Sequence, residues 1–388
     1  MMMQTVIRST LRRQMLASAC AFALCATLSY AQRLTWIQNP FTPTNATFPD
    51  GNGIWVYGPT NQGILFTRYR SGNQYKTYRW KDGELLKLTQ YGDDPITCYP
   101  AEDGKAILHI SGSTYFWTPL GLVQTSIPQY AKYTTEDGGV VVGLLLQNSQ
   151  PFIWQNNTTS QLPLPQGYPY GEAQRITEDL QFIAGSCFTS SQSRAVRWRF
   201  SNGTWQVQFL GTLGGQNSRG GAISSDGKII ALSAQDINGN WRAAVWQENV
   251  GLFPLPTLGG NESRVSNNSA EGFSMTSDGR YIVGYSRTPQ NEPRAVRWTW
   301  QGGSSYTVED LNIAYAGLLG AGDLLLGAAG ISRNGRYIAG VGLHNGQIQV
   351  FILDTQFCNL PPDVTGDGFV DDADLLEVLF NFGTRCGG

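Results

Sequence analysis

One short phrase recurs along most of the chain and limits the folds that the chain can adopt. Its clearest copies are residues 222–246 and 274–298. Each copy joins an apolar run, an Asp-Gly pair, a second apolar run and a later segment that ends in Trp. Asp-Gly between two apolar runs predicts a β-hairpin, because the turn needs residues that tolerate positive φ. The β-branched and aromatic residues around it suit strands. Each copy therefore predicts three consecutive antiparallel strands.

Weaker copies extend the repeat to seven units, whose turn positions are 34 to 56 residues apart. The turn residues are Asp50, Asp103, Asp137, Asp179, Asp226, Asp278 and Asn334. Segments between units, such as residues 85–88 and 252–255, supply a fourth strand. Four short strands per unit, repeated seven times, are typical of a β-propeller. We therefore expect an all-β fold, with residues 32–355 forming a seven-bladed propeller. We interpret the seven Asp and Asn residues at the turn positions as turn formers.

The ring also needs a closure, because its last unit ends near Asp354 without an obvious fourth strand. The chain after the leader opens with an apolar run, residues 34–37. We expect this run to complete the last blade, which removes two exposed sheet edges.

The two clear copies are preceded by Leu-Gly-Thr-Leu-Gly-Gly at 210–215 and Leu-Pro-Thr-Leu-Gly-Gly at 255–260. With the Ser-Asp-Gly turn and the strand that ends in Trp, this segment resembles the bacterial extracellular HAF-repeat family over about residues 205–300. The resemblance implies export and no particular chemistry. We interpret the glycine pairs as tight turns.

Residues 1–31 have the organisation of a secretory signal peptide. Basic residues precede an apolar run at 15–28, and small residues at 29 and 31 predict cleavage before Gln32. An uncleaved anchor helix is the alternative. The mature chain then has no transmembrane segment, and we expect it to be secreted or at the cell surface, in an oxidising environment.

The C-terminal segment 356–388 carries a pattern typical of a calcium loop. The predicted ligands are Asp363, Thr365, Asp367, Phe369 through its carbonyl, Asp371 and Asp374. Gly368 lies at the sharp-turn position of such loops. An apolar run at 375–382 predicts a short helix directly after the loop. This arrangement resembles a dockerin, although dockerins carry two loops and this chain has one. The resemblance implies Ca²⁺ binding and leaves a cohesin-like partner open; a metal-free acidic tail is the alternative.

Four cysteines lie outside the leader. Cys358 and Cys386 flank the calcium-type segment, and a disulfide between them would restrict the unfolded chain by roughly 3 kcal/mol in the loop-entropy model. A module of this size needs such a crosslink. Cys98 and Cys187 belong to different units, and their pairing stays open.

Composition excludes some functions. Charged residues are 14% of the chain and its net charge is −2, so no basic field is available for nucleic acid. The chain has two histidines; His109 lies in a predicted strand as a packed residue, and His344 lies in a polar turn. A Gly-x-Ser-x-Gly nucleophile motif and a histidine cluster with metal spacing are both absent, so we assign no catalytic residue.

These observations favour a non-catalytic binding or structural protein. Its partner is an unidentified extracellular or cell-surface protein or a glycan. The alternative is an extracellular hydrolase or lyase that acts on carbohydrate, because carboxylates from different blades can converge in the propeller channel without a sequence motif. We interpret most of the tryptophans as core residues, because they end blade strands.

Overall fold

The structure is a computed structural model. It describes residues 32–40, 53–71, 74–88, 97–101, 104–110, 112–128, 130–266 and 273–355, together with the helical residues Leu375, Leu376, Val378 and Leu379. None of the helices in these residues reaches the length and hydropathy that a membrane span requires.

The described residues form seven four-stranded antiparallel sheets, which confirms the predicted all-β seven-bladed propeller. In each sheet, consecutive strands are hydrogen-bonded neighbours, and we call them A, B, C and D in their order across the blade. The A strands of adjacent blades lie against one another around the axis of the ring. The segments at 85–88 and 252–255 provide D strands, as their sequence predicts.

The first four blades follow one another along the chain. Blade 1 contains β2 (Ile54–Tyr57), β3 (Leu65–Ser71), β4 (Gln74–Lys81) and β5 (Glu84–Lys87). Blade 2 contains β6 (Thr97–Pro100), β7 (Ala106–Ile110), β8 (Ser113–Thr118) and β9 (Gly121–Thr125). Blade 3 contains β10 (Ala131–Thr134), β11 (Val140–Leu145), β12 (Gln150–Gln155) and β13 (Thr158–Gln161). Blade 4 contains β14 (Tyr170–Ile176), β15 (Phe182–Phe188), β16 (Ser193–Ser201) and β17 (Thr204–Phe209).

The remaining three blades complete the ring. Blade 5 contains β18 (Gly214–Ile223), β19 (Ile229–Asp236), β20 (Trp241–Gln247) and β21 (Gly251–Pro254). Blade 6 contains β22 (Ser263–Val265), β23 (Tyr281–Arg287), β24 (Pro293–Gly302) and β25 (Ser305–Asp310). Blade 7 contains β26 (Leu324–Ile331), β27 (Tyr337–His344), β28 (Gln347–Asp354) and β1 (Arg33–Ile37). A short helix α1 (Leu311–Ala314) and a 3-10 turn (Ala316–Leu318) connect blades 6 and 7.

The N-terminal strand closes the ring. β1 pairs antiparallel with β28 as the D strand of blade 7, with Arg33 opposite Asp354 and Ile37 opposite Val350. The predicted closure is therefore confirmed. The first and last strands of the propeller therefore pair in one sheet. β1 covers the edge of β28 that would otherwise be unpaired.

Tryptophans at the ends of C strands pack between blades. Trp198 and Trp298 are fully buried, and the indole Nε1 of each donates a 2.7 Å hydrogen bond to a proline carbonyl in the preceding connection, Pro163 and Pro256 respectively. A buried indole combines a large apolar area with one hydrogen-bond donor, and both are satisfied here. These tryptophans are core residues, as predicted.

The antiparallel order gives the ring two distinct faces. The A–B and C–D turns lie on one face, which we call the turn face. The B–C turns and the connections from one blade to the next lie on the opposite face, which we call the crossover face.

The glycine pairs of the longer repeat are structural. Gly214 and Gly259 both have a φ of +101°, a conformation that residues with a Cβ avoid. At the following position, a Cβ on Gly260 would lie 2.3 Å from the carbonyl oxygen of Arg287. The second glycine of this pair allows a close approach of two backbones.

Candidate functional site

The repeated Asp and Asn residues accept hydrogen bonds within their own turns. In blade 5, Asp226 Oδ1 accepts hydrogen bonds from the Ser224 hydroxyl at 2.7 Å and from the Lys228 amide at 3.0 Å. Four further turns have the same pair of bonds, and their acceptor residues are Asp137, Asp179, Asp278 and Asn334. A carboxylate used in this way stabilises a local turn.

The first blade uses a different turn. Its A and B strands are joined through Thr60–Gly63, where the Gly63 amide donates to the Thr60 carbonyl at 2.9 Å. Asp50 precedes the A strand of this blade, so it does not join strands A and B. Asp50 and Asp103 themselves lie outside the described residues.

The residues directly before the turn Asp or Asn bring the turns of several blades into contact. Arg333 of blade 7 is buried, and its Nη1 lies 2.7 Å from Glu178 Oε1 of blade 4 and 3.0 Å from Glu136 Oε1 of blade 3. Its Nη2 donates to the Ser225 hydroxyl of blade 5 at 3.0 Å. One guanidinium therefore joins blades on opposite sides of the ring at the turn face.

Backbone bonds extend this contact around the axis. The Ser225 amide donates to the Ser277 carbonyl at 2.7 Å, and the Ser277 amide donates to the Arg333 carbonyl at 3.0 Å. The Asn334 amide donates to Asn61 Oδ1 of blade 1 at 2.9 Å. Six blades thus contribute to one network at the turn-face end of the axis, which we call the axial plug.

The middle of the channel is filled by aromatic rings. Phe273 of blade 6 and Tyr133 of blade 3 are buried, and their ring centroids are 5.8 Å apart. The guanidinium of Arg175 lies over the Tyr133 ring, 4.8 Å from its centroid. Among the described residues, these side chains pack across the axis between its two charged clusters.

A second charged cluster lies in the crossover-face half of the channel. Glu172 on β14 is buried; its Oε2 lies 3.6 Å from Lys132 Nζ and its Oε1 lies 3.6 Å from Arg219 Nη2. Gln174 Nε2 donates to Glu172 Oε1 at 2.9 Å. Burial alone would raise the pKa of Glu172, but the two positive charges and the Gln174 hydrogen bond outweigh it and lower the pKa. Glu172 is therefore ionised at neutral pH.

Glu178 has the opposite shift. Burial raises the pKa of Glu178, and the hydrogen bond from the Glu136 amide and the charge of Arg333 only partly offset this effect. Glycoside hydrolysis needs two carboxylates that flank an accessible substrate. Among the described channel residues, Glu136 and Glu178 share one guanidinium in the axial plug, and Glu172 is held by two cations beyond the aromatic filling.

The two histidines occupy different surroundings. His109 is buried in β7, where its Nδ1 has no hydrogen-bond partner among the described residues and burial lowers its pKa. His344, at the end of β27, stacks on Trp36 with ring centroids 4.8 Å apart. Its Nδ1 lies 2.8 Å from Asp323 Oδ1, so this imidazole fastens the closing strand β1 to blade 7.

Cys98 and Cys187 are free thiols buried in blades 2 and 4, so the structure answers the open question of their pairing. Burial raises the pKa of Cys187 to about 12 and that of Cys98 well above its ordinary value. Both thiols are therefore packed and unreactive. The predicted calcium ligands, Asp363, Thr365, Asp367, Phe369, Asp371 and Asp374, lie outside the described residues, as do Cys358, Cys386 and the leader.

A groove of about 490 Å³ lies between blades 2 and 3. It is lined by the B–C turn of blade 2, the end of β9, the connection between the two blades, the B–C turn of blade 3 and Thr159 of β13. Its volume falls in the usual range of ligand sites, roughly 300 to 1,000 Å³. It is open to solvent, unlike the packed axis.

Several polar side chains of this groove, unlike those of the axis, have no hydrogen-bond partner among the described residues. Ser113, Gln124, Gln147 and Thr159 make no side-chain hydrogen bond within the described part of the chain. The Ser126 hydroxyl accepts from Trp154 Nε1 at 3.1 Å, which leaves its own hydrogen to donate. The groove therefore brings several unused hydrogen-bonding groups together in one concave surface.

Comparison with known proteins assigns no family to this chain. No family model matches the sequence, and no curated protein matches it. TolB from Acinetobacter baumannii is similar in structure at 16% identity and a TM-score of 0.40, over 73% of this chain, which spans 60% of that protein's length. Hydrazine synthase from Kuenenia stuttgartiensis is similar at 12% identity and a TM-score of 0.46, with 81% and 98% of the two chains covered.

Oligogalacturonate lyase from Vibrio parahaemolyticus is a third similar structure, at 11% identity and a TM-score of 0.46, with 84% and 97% of the two chains covered. At such low sequence identity, these structural similarities concern the fold alone. This chain is a seven-bladed β-propeller, and its function has to be argued from its own residues.

Sequence reasoning missed the plug and the groove for different reasons. The plug residues Glu136, Glu178 and Arg333 occupy one position of the repeat, directly before the turn Asp or Asn, so an alignment of the units by position shows them. The groove residues come from two B–C turns, two D strands and an interblade connection, and only the packing of the two blades brings them together.

Proposed function

We propose that this protein is an exported, non-catalytic propeller that binds an extracellular or cell-surface protein or glycan through the groove between blades 2 and 3. One observation carries the proposal. The charged groups of the axis are paired with one another, whereas four neutral side chains that line the groove have no hydrogen-bond partner in the described chain: Ser113, Gln124, Gln147 and Thr159. Unused hydrogen-bonding groups in a concave surface are the ordinary basis of specific binding.

Export rests on the signal-peptide pattern of residues 1–31 and on the resemblance of residues 205–300 to the HAF-repeat family. Both are proposals from sequence. Free buried thiols at Cys98 and Cys187 are compatible with an oxidising environment, because a thiol that is shielded and protonated reacts slowly.

Binding is tested with residues 32–388 on arrays of glycans and extracellular proteins, with and without calcium. Ser113→Trp places a large ring in the groove, and we expect it to abolish capture of any ligand. Ser304→Trp, in an exposed turn of the opposite face, is the matched control. Capture that survives Ser113→Trp, or an array without any ligand, would contradict the proposal.

The catalytic alternative has its own test. If the protein were a hydrolase or lyase, incubation with array oligosaccharides would release new ends, and Glu172→Gln would abolish that release. We expect no release in either protein. Turnover that depends on Glu172 would replace the binding proposal by a catalytic one.

We further propose that residues 356–388 form a dockerin-like attachment module that Ca²⁺ stabilises and a Cys358–Cys386 disulfide crosslinks. The oxygen pattern of 363–374 supports this proposal, since Ca²⁺ prefers six to eight oxygen ligands. Calorimetry on residues 32–388 should detect calcium binding below about 1 mM, the range of extracellular calcium modules. Asp363→Ala should abolish the heat and Thr365→Ala should weaken it. No heat from the wild type would contradict the metal site.

A further inference from the structure

We infer that the ligand of the groove between blades 2 and 3 is a neutral oligosaccharide. This inference rests on the proposed binding function and adds the chemical class of the ligand. It follows from the charge, the hydrogen-bonding capacity and the apolar content of the groove.

The groove carries no charge. All of the residues that line it are neutral. Carboxylate, sulfate and phosphate groups are recognised in proteins chiefly by Arg and Lys, through charge-assisted hydrogen bonds. An anionic polysaccharide or a phosphorylated ligand would therefore lose the hydration of its charge in this groove without gaining a partner.

The free side chains match hydroxyl groups. Gln124 and Gln147 each offer an amide that both donates and accepts, and Ser113 and Thr159 each offer a hydroxyl that does the same. A sugar hydroxyl also donates and accepts. Paired amides and hydroxyls along a groove can therefore satisfy consecutive hydroxyls of a sugar chain, and they do so without an ion pair.

The groove also has apolar surface beside these groups. The side chain of Leu146 is 46% exposed at the B–C turn of blade 3, and the partly exposed Pro128 lines the connection between the blades. A pyranose ring presents C–H groups on its faces and hydroxyls at its edge. The alternation of apolar and neutral polar surface in the groove is complementary to that arrangement.

A peptide is a weaker match. An extended peptide that adds to a sheet binds mainly through main-chain groups of an exposed strand edge. The unused groups of this groove are side chains, and they come from two turns, two D strands and an interblade connection rather than from one strand edge. The observations therefore favour a sugar chain.

The experiment measures binding of residues 32–388 to hexamers of a neutral β-glucan, a neutral mannan and a polygalacturonate, and to a library of extended peptides. We expect micromolar to millimolar binding of a neutral hexamer and at least about tenfold weaker binding of the galacturonate, a difference of about 1.4 kcal/mol. Gln124→Ala and Gln147→Ala should each weaken the neutral ligand about fivefold, since each removes hydrogen bonds to it.

Gln206→Ala is the matched control, because Gln206 is exposed on the D strand of blade 4, away from the groove. It should leave the affinity unchanged, and thermal unfolding should show that all three variants keep the wild-type fold. Preference for the galacturonate, or neutral binding that is insensitive to Gln124 and Gln147, would overturn the inference.

The outcomes separate this inference from the binding proposal on which it rests. A peptide captured by the wild type and lost in Ser113→Trp would overturn the sugar ligand and leave the groove as a binding site. Failure of every probe class would overturn both.

Discussion

The two charged clusters of the propeller axis are built from the same residue types and behave differently. In the plug at the turn face, two glutamates share one guanidinium, and burial raises the pKa of Glu178. In the crossover-face half, one glutamate lies between two cations, and the pKa of Glu172 is lowered. Burial raises both pKa values, and the balance of nearby charges decides whether that effect is outweighed, as it is for Glu172, or persists, as it does for Glu178.

The axial clusters also differ from the surface groove in whether their polar groups are already paired. Both axial clusters use their charges on one another, so they have little to offer a ligand. The groove between blades 2 and 3 has no charges and leaves its hydrogen-bonding groups free. In a propeller, a polar cluster is therefore a better candidate for a ligand site when its hydrogen-bonding groups lack partners within the protein.

Removal of Arg333 tests the plug most severely. Arg333→Ala leaves Glu136 and Glu178 without their guanidinium. Because these carboxylates are 49% and 33% exposed, the loss falls below that of a fully buried pair, and we expect about 2.5 kcal/mol in unfolding free energy at neutral pH. Chemical denaturation measures this loss. A second substitution, Glu178→Gln, should recover part of it by removing one uncompensated charge. A loss below about 1 kcal/mol would show that the plug behaves as an ordinary surface pair.

Replacement of Glu172 tests the opposite cluster. Glu172→Gln removes the partner of Lys132 and Arg219, and we expect a loss of about 2 kcal/mol at neutral pH. Because the folded pKa is lowered, the wild-type advantage is present above the ordinary carboxyl range and disappears as the pH falls through the lowered value. Chemical denaturation of both proteins from about pH 3 to about pH 7 measures how this difference in unfolding free energy shrinks as the pH falls.

The matched control for Glu172→Gln is Glu292→Gln. Glu292 forms a pair with Arg294 while its side chain is 56% exposed, so its removal should cost less than about 1 kcal/mol. Equal losses from the two substitutions would contradict a special role for the buried cluster.

Glu178→Gln should have a smaller effect at neutral pH and the reverse pH dependence. The raised pKa means that the folded state holds the Glu178 proton more tightly than the unfolded state does. That contribution is complete below the ordinary carboxyl range and is lost as the pH rises through the folded value. We expect Glu178→Gln to lie within about 1 kcal/mol of the wild type at neutral pH. A pH profile with the same sign as that of Glu172→Gln would refute the comparison.

The smallest effect is expected from a buried group that has no charged partner. Burial lowers the pKa of His109, so the folded state resists its protonation, and stability should decline as the pH falls below about 6.5, the ordinary imidazole value. His109→Gln should remove this decline in thermal unfolding between neutral and mildly acidic pH. His344→Gln, which leaves His109 in place, should retain it.

Much of the fold was predictable because its information is local. The Asp-Gly turns and the β-branched runs specify hairpins within a few residues, and the C-strand tryptophans mark each repeat, so seven blades could be counted from the sequence. The first turn was misplaced, because Thr60–Gly63 lacks the Asp that marks the other units.

The sequence by itself determined the repeat, the number of blades and the strand that closes the ring, because each depends on a hydrophobic period or on a turn of a few residues. Only the tertiary structure decided which polar residues meet. Arg333 and Glu178 are 155 positions apart, and the ring geometry alone brings them to one axis. The groove residues likewise converge through the packing of two blades, a distance relationship that no local pattern of residues encodes.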